Sequence, residues 1–121
     1  MIWRVIFTDY FYFWYQAQSV ELRKRLVAAF GNIEFWGPAL SRPQTDTVKG
    51  SRYPNMKALS LLWCGKPSRI LFAFDLHRRA VVLCGGDKSN DKRFYQAQIK
   101  VADRQFAHHL AELEDENENV N

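Results

Sequence analysis

Twelve lysines and arginines against four aspartates lie between Lys49 and Arg104, in a 121-residue chain whose whole net charge is only +4. The excess is local. The segments Val48-Lys49-Gly50-Ser51-Arg52-Tyr53, Arg69 to Asp75, Leu83-Cys84-Gly85-Gly86-Asp87-Lys88 and Lys92-Arg93-Phe94-Tyr95 alternate short apolar runs with cations at their ends and turns. A small sheet built from them would gather positive charge on one surface, which suits an anionic polymer. Taken singly, Lys49, Arg52, Lys57, Lys88, Lys92 and Arg93 are ordinary solvated side chains. Arg69 differs because it opens a strongly apolar strand. A cation there needs a fixed anionic partner, either Asp87 or a ligand phosphate.

Other chemistries fit the residues poorly. Gly85-Gly86-Asp87-Lys88-Ser89 resembles the end of a phosphate loop, but Asp87 stands where the glycine before the lysine must be. Cys64, His77, Cys84, His108 and His109 lack the paired spacing of a tetrahedral metal site. His108 and His109 are adjacent on a helical segment, so they point about 100 degrees apart and read as surface or edge residues. No metal and no cofactor are expected. Cys64 and Cys84 read as free thiols, since a chain of this length buries about two-thirds of its surface without needing a bridge. The start of the chain lacks a secretory pattern, and the aromatic run Tyr10 to Tyr15 is too short to span a bilayer, so the expected location is the cytoplasm.

The elements that must position these residues read as α+β. Ile2 to Phe7 is β-branched and aromatic and ends at Thr8-Asp9, a pair able to cap a helix, so a strand should lead into a helical hairpin. Ser19 should cap a second helix with Leu22, Leu26, Ala29, Phe30 and Ile33 on its buried face. Residues 37–55 hold three of the four prolines and no periodicity, and read as a long irregular loop. Three strands separated by short turns follow, Met56 to Trp63, Ser68 to Asp75 and Ala80 to Gly86, so the neighbours should be antiparallel. Both faces of Ile70 to Phe74 are apolar, which marks a central strand. The glycine pair should let the chain leave the sheet and bring Asp87 and Lys88 to one rim. Ile99, Ala102, Phe106, Leu110 and Leu113 form one stripe of a final helix. Residues 1–111 then form a single domain of net charge +9, and residues 112–121, with five acids and no base, read as a flexible tail.

These residues also resemble the RelE/HigB-type toxin superfamily of bacterial toxin–antitoxin modules, in its phage-related branch. The resemblance is carried by Gly37-Pro38, Arg42-Pro43, Lys49-Gly50-Ser51-Arg52, Asn55-Met56-Lys57, Arg69 to Asp75, Gly85-Gly86-Asp87-Lys88, Asp91, Phe94-Tyr95, Ala102-Asp103-Arg104 and His109-Leu110. It implies a twisted antiparallel sheet with N-terminal helices and a C-terminal helix on one side and an open basic face on the other. It also implies a type II toxin that cuts mRNA on the ribosome without a metal, neutralised by an antitoxin, often of helix-turn-helix type. Alternatives on the same fold are a non-catalytic binder of RNA, ribosome or antitoxin, and a gyrase-directed toxin. The resemblance assigns Arg69 to the scissile phosphate, Lys88 to charge stabilisation or proton transfer, Asp87 to orienting Lys88, and Tyr95 to stacking or proton donation. Lys49, Arg52, Lys57 and Arg93 would hold flanking phosphates. Where relatives usually read Lys-Glu-Leu-Arg, this chain has Lys57-Ala58-Leu59-Ser60.

Overall fold

Ile70, Phe72 and Phe74 are buried on one face of their strand, and Leu71 and Ala73 on the other. A strand apolar on both faces must be covered on both, and the computed structural model, which describes residues 2–88 and 91–119, shows this arrangement. Five strands, β1 (Arg4–Phe7), β2 (Thr45–Thr47), β3 (Met56–Trp63), β4 (Lys66–Phe74) and β5 (Arg79–Asp87), form one sheet in the order β1-β5-β4-β3-β2. Helices α1 (Asp9–Gln16) and α2 (Val20–Trp36) follow β1, and α3 (Lys92–Asn119) follows β5. Among the described residues, no helix is long and apolar enough to cross a membrane.

The sheet is mixed rather than wholly antiparallel. β3, β4 and β5 form a meander, but β1 runs parallel to β5, from Arg4 beside Arg79 to Phe7 beside Val82. After β1 the chain crosses the sheet through α1 and α2 and re-enters at the far edge as β2, so no tight turn joins β1 to its neighbour. Phe11 of α1 and Leu22, Leu26, Phe30 and Ile33 of α2 cover Leu59, Ile70, Phe72, Phe74, Ala80 and Val82. Ile99, Ala102 and Phe106 of α3 cover Met56, Ala58, Leu71, Ala73, Val81, Leu83 and Cys84. The helices therefore lie on both faces, and the expected open basic face is largely occupied by α3. Its stripe falls at helical spacing and matches the second apolar face of β4. Emptying the first cluster by Phe72→Ala would cost about 3–5 kcal/mol.

Local chemistry sets the boundaries. Thr8 Oγ1 accepts from Phe11 N at 3.1 Å and donates to Val82 O at 3.0 Å, so it caps α1 and ties it to β5. Ser19 Oγ accepts from Leu22 N at 3.2 Å, capping α2 as expected. Gly37 ends α2 at a φ of 55°, where a Cβ would stand 2.3 Å from the Trp3 ring, so a side chain is excluded twice over. In β5, the partner of β4 jumps from Cys84 opposite Leu71 to Val82 opposite Phe72, leaving Leu83 as an extra residue. This bulge turns both Leu83 and Cys84 toward α3.

Residues 37–55 are more ordered than the loop composition suggests. They contain a 3-10 turn at Gly37–Ala39 and the edge strand β2, and Val48 is buried. Buried Asp103 of α3 accepts from Ser51 Oγ at 2.6 Å and from Arg52 N at 3.1 Å, while Tyr53 packs edge-on to Phe106 at 4.9 Å. α3 also continues through the acidic segment to Asn119 rather than giving way to an irregular tail. Leu, Ala and Glu propagate a helix once it is nucleated, and His108 pairs with Glu112 at 3.0 Å.

Candidate functional site

Arg69 lies on the α3 side of β4, between Ser60 of β3 and Gly86 of β5 in the register. Its guanidinium carbon sits 3.7 Å from the centre of the Tyr95 ring, a contact that the first turn of α3 delivers. Nη1 is screened from solvent and meets no acceptor among the described residues. The expected choice between Asp87 and a phosphate is thus not resolved in favour of Asp87, because the aromatic face of Tyr95 stands over the guanidinium in place of a carboxylate.

Lys88 comes to the same place by a different route. Its backbone N donates to Pro67 O at 2.9 Å, and its Nζ donates to Ser60 Oγ at 3.2 Å, directly across from Arg69. Ser60, where relatives carry an arginine, therefore serves as an acceptor for this lysine. Asp87 pairs with Ser68 in the β4–β5 ladder, and its carboxylate makes no hydrogen bond or ion pair among the described residues. The structure does not bring Asp87 to Lys88. The glycine pair also stays within β5 instead of releasing the chain. At Gly85 a Cβ would lie 2.7 Å from the Trp14 ring, so the missing side chain admits α1.

Tyr95 is half-buried. Burial is the largest influence on its phenol and pushes the pKa up; the Arg69 cation opposes this, the Asp46 carboxylate adds to it, and the net shift is upward. The group is therefore a neutral phenol across the physiological range. Asp46 is the edge-strand neighbour of Ala58 and is held by Arg42 at 3.0 Å and by Thr47 N. The Arg42 hydrogen bond outweighs burial and keeps the Asp46 carboxyl below its ordinary value.

The flanking cations divide into groups. Lys49 and Arg52 are exposed on the loop that Asp103 fastens to α3, with the Arg52 guanidinium 6.0 Å from the Tyr53 ring centre. Arg93 is exposed on the first turn of α3, its Nε 3.8 Å from Asp91 Oδ1. Lys57 does not join Arg69: it lies opposite Phe72 and Thr47, on the α2 side of the sheet, and its Nζ donates to Thr47 Oγ1 at 3.2 Å.

Two features escape a reading of residue types. Gln98, on the sheet side of α3, is buried and donates from Nε2 to Arg69 O at 3.1 Å, tying the helix to the strand that carries the arginine. A glutamine inside the stripe of Tyr95, Ile99, Ala102 and Phe106 was the available signal. His109, which reads as a surface residue, instead places Nε2 2.9 Å from the Oδ2 of Asp75, a carboxylate with no exposed side-chain surface. Its partner is 34 residues away, so helical spacing could not reveal the contact.

The chain matches the family described as phage-derived protein Gp49-like (DUF891) over residues 14–107. It is 43% identical over 104 residues to the candidate toxin HigB2 of Mycobacterium tuberculosis, covering 84% of this chain and 52% of HigB2. It is 40% identical over 99 residues to the candidate toxin HigB3 of the same organism, covering 81% of this chain and 85% of HigB3. The chain thus spans about half the length of HigB2 and most of HigB3. Among solved structures, a substituted Escherichia coli RelE toxin in the free state superposes with a TM-score of 0.60 at 11% identity, covering 83% of this chain and 98% of RelE. A chain of the RelBE2 toxin–antitoxin complex of Mycobacterium tuberculosis superposes at 0.54 and 16% identity, covering 73% and 100%. These structural likenesses concern the fold. With the family match over most of the chain, and with HigB3 similar along nearly its full length, the chain belongs to the Gp49-like family within the RelE/HigB-type toxin superfamily.

Proposed function

We propose that the chain is the toxin of a type II toxin–antitoxin module and a ribosome-dependent mRNA endonuclease that needs no metal. The observation that carries this reading is the Arg69 guanidinium, which has no carboxylate partner among the described residues and is set beside Lys88 and a neutral Tyr95 phenol. In the reaction, the ribose 2′-hydroxyl gives its proton to solvent water as its oxygen bonds to phosphorus, and the bond to the 5′-oxygen breaks, leaving a 2′,3′-cyclic phosphate and a 5′-hydroxyl; the proton that Tyr95 gives up is restored from solvent. Arg69 would stabilise the extra negative charge on the phosphate, Lys88 would act as a second cation or proton carrier, and the Tyr95 hydroxyl would protonate the departing 5′-oxygen. Lys49, Arg52 and Arg93 would hold flanking phosphates and make binding depend on salt. Lys57, on the other face, would contribute only if the strand wraps the β2 edge. Acting on mRNA under translation, the protein would be cytoplasmic, with ribosome and antitoxin as its partners. RelE chains have been solved with their antitoxins, which supports a cognate antitoxin here; that this antitoxin is of helix-turn-helix type is part of the proposal.

A second reading, a non-catalytic binder, is favoured by one observation: Ala58 and Ser60, on the α3 side of β3, bring no acid or cation of their own to the site. Induced expression of wild type and Arg69→Ala decides between them. The nuclease reading expects growth arrest, with new mRNA 5′ ends falling inside ribosome-protected codons in wild type only. Arrest with intact mRNA would support binding alone, and a supercoiling defect would point to gyrase.

A further inference from the structure

We propose that the small cavity between α1 and α3 binds a nucleobase bearing an exocyclic amino group, next to the nucleotide whose phosphate meets Arg69. The inference rests on the RNA-directed reading above. The cavity measures about 210 Å³ and is lined by Tyr10 of α1, Gly85 of β5, and Phe94, Gln98 and Val101 of α3. Gln98 is 8% exposed, and its Oε1 is wholly screened and has no partner among the described residues. Its Nε2 is already engaged with Arg69 O at 3.1 Å. The amide therefore cannot turn over without setting its oxygen against a carbonyl, and the free atom is an acceptor only. A buried acceptor without a donor is costly, and an N–H from a ligand relieves that cost.

The walls select the kind of ligand. Phe94 and Tyr10 are about half exposed, so their rings are available for stacking, which any nucleobase accepts. Val101 and buried Cys84 make the interior apolar, so a phosphate would lose its hydration there without a counter-charge. The cations Lys92 and Arg93 share the first, exposed turn of α3 with Phe94, where the backbone of an inserted nucleotide would run. Because Gln98 is bonded to the main chain of Arg69, a base held there sits within a nucleotide's reach of the guanidinium. Adenine, cytosine and guanine offer the amino group; a purine without it does not.

The test uses two uncleavable 2′-O-methyl RNA trinucleotides that differ at a single base, adenine in one and unsubstituted purine in the other. The wild type should bind the adenine trimer about 10-fold more tightly, with a shift of the Gln98 side-chain amide resonance. Gln98→Leu should erase the preference by weakening the adenine trimer to the level of the purine trimer. Phe94→Ala, at an exposed position that leaves the core intact, should weaken both trimers together. Equal affinities in the wild type, or a preference that survives Gln98→Leu, would overturn the site. If neither trimer binds yet mRNA is cleaved in expressing cells, the site is wrong and the nuclease reading stands. If binding and cleavage are both absent, the RNA reading falls with it.

Discussion

Replacing Asp75 by Asn tests how α3 is held to the sheet. Asp75 Oδ1 accepts from His77 N at 2.9 Å and Arg79 N at 3.1 Å; Oδ2 accepts from Arg79 Nε and His109 Nε2, both at 2.9 Å. Arg79 Nη2 also lies 2.9 Å from Oδ2, close enough for an ion pair but turned off the hydrogen-bonding direction. An asparagine has one acceptor oxygen. Whichever way its amide turns, the NH₂ faces either two backbone N–H groups or the arginine and histidine. Two bonds and the charge opposite Arg79 are lost at a side chain with no exposed surface, and breaking a buried pair on one side costs about 3–5 kcal/mol. For a domain of this size that is about 10–20 °C in Tm. Burial is the largest influence on the Asp75 carboxyl and pushes its pKa up, but the bonds from His109, Arg79 and the two backbone groups outweigh it, so the pKa is lowered from 3.8. The unfolded chain then takes up the proton first on acidification. The stabilisation is full above pH 5 and is lost as the pH falls below 3.8 through the folded-state value. Urea unfolding of wild type and variant from pH 3 to pH 8 should show a gap that is constant above pH 5 and closes in acid. A loss under 1 kcal/mol at pH 7, or a gap that widens in acid, would refute the reasoning.

Other outcomes follow from the same geometry. Arg69→Ala should lower cleavage by about 10² to 10³, whereas Lys49→Ala should leave the rate at saturation alone and reduce the salt slope of RNA binding by about one unit, measured by single-turnover kinetics and titration. Ser60→Arg removes the acceptor for Lys88 and adds a cation beside Arg69. It should cost about 1 kcal/mol in the free protein and steepen the salt slope by about one unit, and unchanged values in both would remove β3 from the RNA face. Cys64 is exposed, and Cys84 is buried with burial pushing its thiol up to about 12. A thiol reagent should therefore label one cysteine at once and the second only on unfolding.

Periodicity exposed what packing decides and missed what long-range pairing decides. The two-faced burial of Ile70 to Phe74, the caps at Thr8 and Ser19 and the stripe of α3 follow from spacing and residue type. The parallel pairing of β1 does not, because parallel and antiparallel neighbours bury the same residues and only the path of the connection separates them. The ordered 48–53 segment was hidden because its anchor, Asp103, lies 52 residues beyond Ser51. In the site, the types of Arg69, Lys88 and Tyr95 were informative because a cation at an apolar strand end demands a partner. That the partner is a ring, that Lys88 leans on Ser60, and that Lys57 points away were matters of register.

The bulge at Leu83 sets which charge stands beside Arg69. In a strand, side chains alternate between faces, so every position beyond an inserted residue has its parity inverted. With the extra residue, Gly86 shares the face of Arg69, Asp87 falls on the opposite face opposite Ser68, and Lys88 returns to reach Ser60. Had the same residues paired without a bulge, the order would be exchanged, and a carboxylate would stand next to the guanidinium where an ammonium now stands. Deleting Leu83 would remove the extra residue and leave Gly86 opposite Arg69, whereas deleting Gly86, beyond the bulge, would change no charge in the chain yet bring Asp87 opposite Arg69 and reverse the local field there. The sign of the site is written in a count of residues as much as in their identities, and deleting Gly86 should be far more damaging to RNA binding than Gly86→Ala, whose Cβ would meet Gln98 Nε2 at an ordinary 3.5 Å.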